Sequence, residues 1–240
     1  MDMIGIICAM QLEADGILAL AENKKYETIN GMRFCRCEIR QKEVVAVVCG
    51  VGKVNAAVCA ATLINVYKPQ IVINSGVAGA LSPIVSVGDI VIGTKAVEHD
   101  MNTTALGDKQ GEVSMPDGKI MYFDCDARAS KLLNKVSMQL EDTKTAMGVI
   151  ASGDIFISDR RKRLLINDRF GAIACEMEGA AIGHACRCCS VPFGIIRAIS
   201  DDLNENKGVD FVKFCAMAAE KTVRVLDGFI EKYCFIVPSN

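Results

Sequence analysis

The sequence predicts an α/β fold, a three-layer α/β/α sandwich around a mixed, twisted sheet. Three observations carry this expectation. Short apolar runs alternate with stretches of helical periodicity along the 240 residues, the pattern of a sheet covered by helices. One early pair of apolar runs is separated by only two residues and reads as a hairpin, which makes the sheet mixed. No linker, repeat or low-complexity run divides the chain, so residues 1–240 read as a single domain long enough for a substantial core.

The elements follow in order. Met3 to Cys8, MIGIIC, is a first buried strand, and Gln11 to Glu22 has helical spacing through Leu12, Ile17, Leu18 and Ala21. Phe34 to Arg40 and Glu43 to Cys49 are the hairpin strands, with Gln41-Lys42 between them. Gly50-Val51-Gly52-Lys53 then opens a helix from Asn55 to Tyr67. This turn invites a phosphate-loop reading, but Val47 and Val54 stand where that motif needs Gly and Ser or Thr. It therefore implies close backbone approach to a ligand without a triphosphate. Pro69 to Asn74 is a strand, followed by Ser75-Gly76-Val77-Ala78-Gly79, read as a tight turn or a close approach to ligand. Asp89 to Val97 is a strand leading to Glu98-His99-Asp100, where His99 reads as a hydrogen-bonded structural histidine. Residues 101–124 are irregular, which suits a lid or an interface element.

Asp126 to Leu140 is an amphipathic helix, and Ala146 to Ala151 is a strand. The basic run Asp159 to Arg163 reads as a solvated helix start. Ala172 to Cys175 and Phe193 to Ile196 are two further strands joined by a small-residue helix. Asp210 caps a last helix over about 211–233, with Phe211, Phe214 and Cys215 on its apolar face.

Composition narrows the function classes. No apolar segment approaches the ~18–20 residues of a membrane span, and no secretory signal opens the chain, so a cytoplasmic protein without a membrane partner is expected. A net charge of −2 and the absence of Trp offer no surface for nucleic acid. The twelve cysteines lie mostly in apolar runs, where a thiol packs as a small hydrophobe. His184-x-Cys186-x-Cys188-Cys189 has only one C-x-x-C pair, too little for a structural zinc site, so no metal and no cofactor are expected.

Chemistry concentrates past the strand ends. Glu13, Glu178 and Asp201 all follow predicted strands. If those strands are parallel, the three acids meet at one edge of the sheet, where open α/β sheets bind ligands. Arg197 would hold one of them in a charge-assisted pair. The plain alternatives are solvated loop charge and, for Glu13, a favourable place at a helix N-terminus. No Ser–His or Cys–His pair suits acyl transfer. Carboxylates alone suit acid–base hydrolysis of a glycosyl bond, one protonating the leaving group and another activating water.

Seven stretches carry a family resemblance: IGIICAMQLE, GVGKVNAA, INSGVAGAL, VGDIVI, SGDIFI, CEMEGAAI and RAISD. In this order and over nearly the whole chain, they resemble the 5′-methylthioadenosine/S-adenosylhomocysteine nucleosidases of the nucleoside phosphorylase superfamily. The resemblance implies irreversible hydrolysis of the adenine N-glycosidic bond, with 5′-deoxyadenosine as a further candidate substrate. It implies that Asp201 protonates N7 from a carboxyl kept partly protonated, and that Glu13 positions and deprotonates water with Arg197 nearby. Glu178 would accept bonds from the ribose hydroxyls, Met177 would pack on the sugar, and Met10 would line the sulfur side. Phe156 would stack on adenine while the Ile157 backbone pairs with its edge. Val77, Glu176 and Ser200 complete the expected substrate contacts. The resemblance also implies a homodimer in which a loop near 101–118 closes the neighbour's pocket.

Two departures stand out. Val77 replaces a serine common in the family, and the loop Thr104 to Asp108 lacks the usual aromatics. Two rival functions remain at this point: a phosphorylase using phosphate in place of water, and a purine-binding protein without catalysis. A carboxylate at Glu13, where related phosphorylases carry Arg, disfavours phosphate, and three acids exceed what binding alone requires.

Overall fold

The structure is a computed structural model that describes residues 2–141, 143–201, 203 and 211–235, with the backbone alone for 211–215. Asp202 and Asp210, and the side chains of Phe211, Phe214 and Cys215, lie outside the described residues.

A mixed sheet forms the middle layer. Its strands are β1 (Met3–Cys8), β2 (Glu22–Ile29), β3 (Met32–Ile39), β4 (Lys42–Val48), β5 (Ile71–Ala80), β6 (Ile90–Glu98), β9 (Phe123–Asp124), β10 (Thr145–Ser152), β11 (Ala172–Glu176) and β12 (Phe193–Asp201). A small separate hairpin joins β7 (Val113–Met115) and β8 (Gly118–Ile120). The strand order is β11-β10-β6-β12-β5-β1-β4-β3-β2, and β11 also pairs antiparallel with β5. That last pairing closes β5, β12, β6, β10 and β11 into a ring. The helices are α1 (Gln11–Ala19), α2 (Lys53–Tyr67), α3 (Ala127–Ser137), α4 (Arg160–Phe170), α5 (Gly179–Cys188) and α6 (Phe211–Lys232). α2 and α5 pack together in one apolar core, while α1, α3 and α6 cover the other face. The three-layer expectation is borne out.

Several local readings need correction. The first helix stops at Ala19, and a strand, β2, follows it. Residues Glu22 to Thr28 are exposed, so β2 carries no apolar alternation to mark it. Asn30-Gly31, both at positive φ (52° and 76°), form the tight turn to β3, a pairing that favours exactly this geometry. The second hairpin turn is Arg40-Gln41, also at positive φ, one residue earlier than expected.

β5 runs on through Ser75-Gly76-Val77-Ala78-Gly79 as strand, so this segment is no turn. The two glycines serve close approach, by acidic side chains of the protein itself. Residues 101–124 contain a short 3₁₀ turn and three short strands. The eleven described cysteines are free thiols, most of them buried. Cys186 sits in the core, while His184 stacks on Phe123 and pairs with Glu98, Nδ1 to Oε1 at 2.9 Å. His99 is buried; its ring bonds to its own backbone, while its Nε2 has no hydrogen-bond partner among the described residues.

Candidate active site

The acids converge, by a route other than the one expected. β1, β5 and β12 are parallel neighbours, and their carboxyl ends deliver Glu13 and Asp201. β11 is antiparallel to β5, and it brings Glu176 to Glu178 to the same place because its end crosses β5 at Gly79 and Ala80. Ring closure therefore assembles the site, where parallelism throughout had been expected.

Glu13 lies in the first turn of α1 and is 3 % exposed. Its Oε2 accepts from the N–H groups of Ala9 (2.9 Å) and Met10 (3.0 Å), and its Oε1 from that of Val77 (3.0 Å). It thus caps its own helix and also spans to β5. The plain reading and the functional one are both compatible with that geometry.

Glu178 is buried and accepts from Gly52 N–H at 2.8 Å. The Gly50-Val51-Gly52 turn, both of its glycines at positive φ, thus holds a carboxylate of the protein. Burial, reinforced by the neighbouring Glu176 charge, pushes the Glu178 carboxyl up to about 7. Lys53, next in the turn, pairs with Glu98 (3.0 Å) and Asp100 (2.7 Å).

Asp201 is partly exposed at the end of β12. Its Oδ1 accepts from Ser200 Oγ at 2.9 Å, and its Oδ2 pairs with Arg163. Arg163 is 5 % exposed and also donates from Nε to the Ile157 carbonyl at 2.9 Å. The basic run is therefore not wholly solvated. Arg163, Ile166 and Phe170 form the buried stripe of α4, and that spacing was the signal that could have marked Arg163.

Arg197 does not hold any of the three acids by a hydrogen bond. It is 1 % exposed and pairs with Glu176 and with Asn74 Oδ1. Glu176 is saturated by protein donors: besides Arg197, it accepts from Ser152 Oγ and from the N–H groups of Glu178 (3.1 Å) and Gly179 (2.8 Å). Asn74 and Ser152, both buried, escaped sequence reading. They look like ordinary strand residues until their partners are known.

One cleft, open to solvent, collects these groups. Met10, Glu13, Val77, Phe156, Ile157, Glu176, Met177, Glu178, Ser200 and Asp201 all line it, and its surface is largely apolar. Arg197 lies beneath it and outside the lining. The lining carries four carboxylates and neither Lys nor Arg. Such a surface can bind a neutral ring, accept hydroxyl bonds and exchange protons.

The phosphorylase superfamily profile matches residues 3–231. A 5′-methylthioadenosine/S-adenosylhomocysteine nucleosidase of Shewanella loihica is 37 % identical over 216 residues, 90 % of this chain and 93 % of that one. The chain belongs to this nucleosidase family of the phosphorylase superfamily. The nucleosidase of the same name from Bacillus thuringiensis is also 37 % identical, over 90 % of this chain and 93 % of its own. Among solved structures, the Neisseria meningitidis nucleosidase in complex with methylthio-immucillin-A superposes with a TM-score of 0.91 at 32 % identity, over 97 % of this chain and all of that one. The futalosine hydrolase of Helicobacter pylori superposes at 0.89 with 26 % identity, over 97 % and 98 % of the two chains.

Proposed function

We propose that the cleft hydrolyses the N-glycosidic bond of 5′-methylthioadenosine and S-adenosylhomocysteine, releasing adenine and the thioribose product, with 5′-deoxyadenosine as a further substrate. The observation that carries this reading is the convergence of Glu13, Glu178 and Asp201 on one largely apolar cleft. In the reaction, the C1′–N9 bond breaks toward an oxocarbenium-like sugar, water oxygen bonds to C1′, and a proton goes to N7.

Asp201 is the general acid at N7. Glu13, fixed by three backbone donors, positions the water and accepts its proton. Glu178 accepts from the ribose hydroxyls, and Met177 covers the sugar. Phe156 and the Ile157 backbone take the adenine, Ser200 steadies Asp201, and Met10 and Val77 border the 5′ side and the water. Glu176 and Arg197 act as a buried positioning pair, because their polar atoms are turned to the protein.

The lining supports water over phosphate. A phosphate dianion there would meet carboxylates and no cation, which is repulsive at short range. A binding protein without catalysis would need no third acid. The protein is also read as a cytoplasmic homodimer. Exposed Val51, Val54 and Val58, with Leu106, Ile155 and Phe156, offer apolar surface for a second copy, whose 101–118 loop would complete the pocket. Among the described residues, no helix is long and apolar enough to cross a membrane.

The test is release of the base, adenine from 5′-methylthioadenosine, S-adenosylhomocysteine and 5′-deoxyadenosine and hypoxanthine from inosine, each with and without phosphate. Release from the 5′-thioadenosines independent of phosphate is expected. Binding without release, or release that needs phosphate, would replace the reading by one of its rivals.

A further inference from the structure

We propose that Arg163 is a positioning residue for the purine end of the cleft, holding the acid Asp201 and the Ile157 backbone in one fixed relation. The proposal rests on the nucleosidase reading above and extends it to a side chain outside the cleft lining.

Arg163 lies within the first turns of α4, behind the cleft wall. One face of its guanidinium fork, Nε, donates to the Ile157 carbonyl at 2.9 Å, and the other pairs with Asp201 Oδ2. The fork is planar and rigid, so two partners bonded to it are held at a set separation. Both partners are groups assigned to adenine, one to its edge and one to N7. The second Asp201 oxygen is held by Ser200 Oγ at 2.9 Å, which leaves the carboxyl little rotation.

The backbone makes room for this arrangement. Gly79 is the register partner of Asp201 across β5 and β12. A Cβ on Gly79 would stand 2.9 Å from Asp201 Oδ2 and 3.4 Å from an Arg163 terminal nitrogen. A side chain at that position would displace the acid from its clamp. Arg163 being nine-tenths buried, its charge is offset by these partners and not by bulk water.

A plain tether of α4 would stabilise the fold without affecting how N7 is met. The experiment therefore uses Arg163→Met and Arg163→Lys in the full chain. It measures melting temperature, kcat and KM for 5′-methylthioadenosine, and binding of adenine against 7-deazaadenine, which has carbon in place of N7. Arg163→Met is expected to lower kcat by about tenfold or more, with a smaller change in KM, and to shrink the preference for adenine over 7-deazaadenine, the scale of one charge-assisted contact. Arg163→Lys, which keeps the charge and loses the fork, should recover part of both. If Arg163→Met does not fold, Arg163→Lys against the unaltered chain carries the same comparison.

Variants that keep kcat within about twofold and keep the full adenine preference, whatever their melting temperature, would overturn the proposal. An unaltered protein that releases no adenine, or binds both bases equally, would instead overturn the nucleosidase reading on which it stands.

Discussion

The carboxylate of Glu13 rests against the bare α-carbon of Gly76: a Cβ there would stand 2.5 Å from Glu13 Oε1 and 3.0 Å from an Arg197 terminal nitrogen. Gly76 sits in a regular strand with ordinary φ, so its conformational freedom is not what the site uses. The missing side chain lets an α1 carboxylate reach over β5 and take the Val77 N–H.

Gly76→Ala should therefore push Glu13 from its three donors. The prediction is a loss of kcat by on the order of 10²-fold, since a misplacement near 1 Å has that scale. Steady-state kinetics with a parallel circular dichroism spectrum checks it. Full activity in a folded variant would separate Glu13 from the chemistry.

Glu13→Gln separates the capping role from the catalytic one. The amide oxygen can still accept from Ala9 and Met10, but the amide NH2 would then face the Val77 N–H, so stability should fall by about 1–3 kcal/mol, the cost of one buried donor left unpaired. Turnover should fall by about 10²–10⁴, the share of acid–base catalysis. Chemical denaturation and kcat on the same preparation give both numbers.

Asp201→Asn should lower kcat by about 10²–10⁴ while binding of adenine-like ligands persists. The measurement is kcat beside the dissociation constant of a substrate analogue. An unchanged kcat would remove Asp201 from its role.

Glu178 gives a pH signature in the ligand-free protein. Its folded carboxyl titrates near 7, raised by burial and by Glu176 from an ordinary value of 4.5. A raised value means the folded state binds the proton more tightly than the unfolded one. The resulting stability is full below 4.5 and is lost as pH rises through about 7. Glu178→Gln, which cannot ionise, should match the unaltered protein at low pH and exceed it above pH 7, by up to about 3 kcal/mol. Melting curves from pH 4.5 to 8.5 test this; a difference that does not grow with pH would contradict it.

What could be read from the chain follows from where side chains face. β1, β4, β6, β10, β11 and β12 declare themselves by apolar runs because the sheet buries them. β2 stays hidden because water faces its whole length, although Asn30-Gly31 marks its turn. The acids at 13, 178 and 201 are legible because each follows a strand, yet the closure of β11 onto β5 that unites them is a pairing across the chain with no local trace. Arg163 was hidden by its neighbours: three exposed basic residues precede it, and only its register with Ile166 and Phe170 sets it apart. Glu176 and Arg197 read as substrate contacts from their place in the sequence. Their partners, Ser152 and Asn74, are polar residues inside strands and gave no sign of the pair they anchor.

The most direct test of the central claim is 5′-methylthioadenosine cleavage in phosphate-free, ¹⁸O-labelled water. The account predicts adenine release with one labelled oxygen on the C1′ position of the thioribose product, at a rate unchanged by added phosphate. No cleavage until phosphate is added, with an unlabelled sugar phosphate as product, would contradict it.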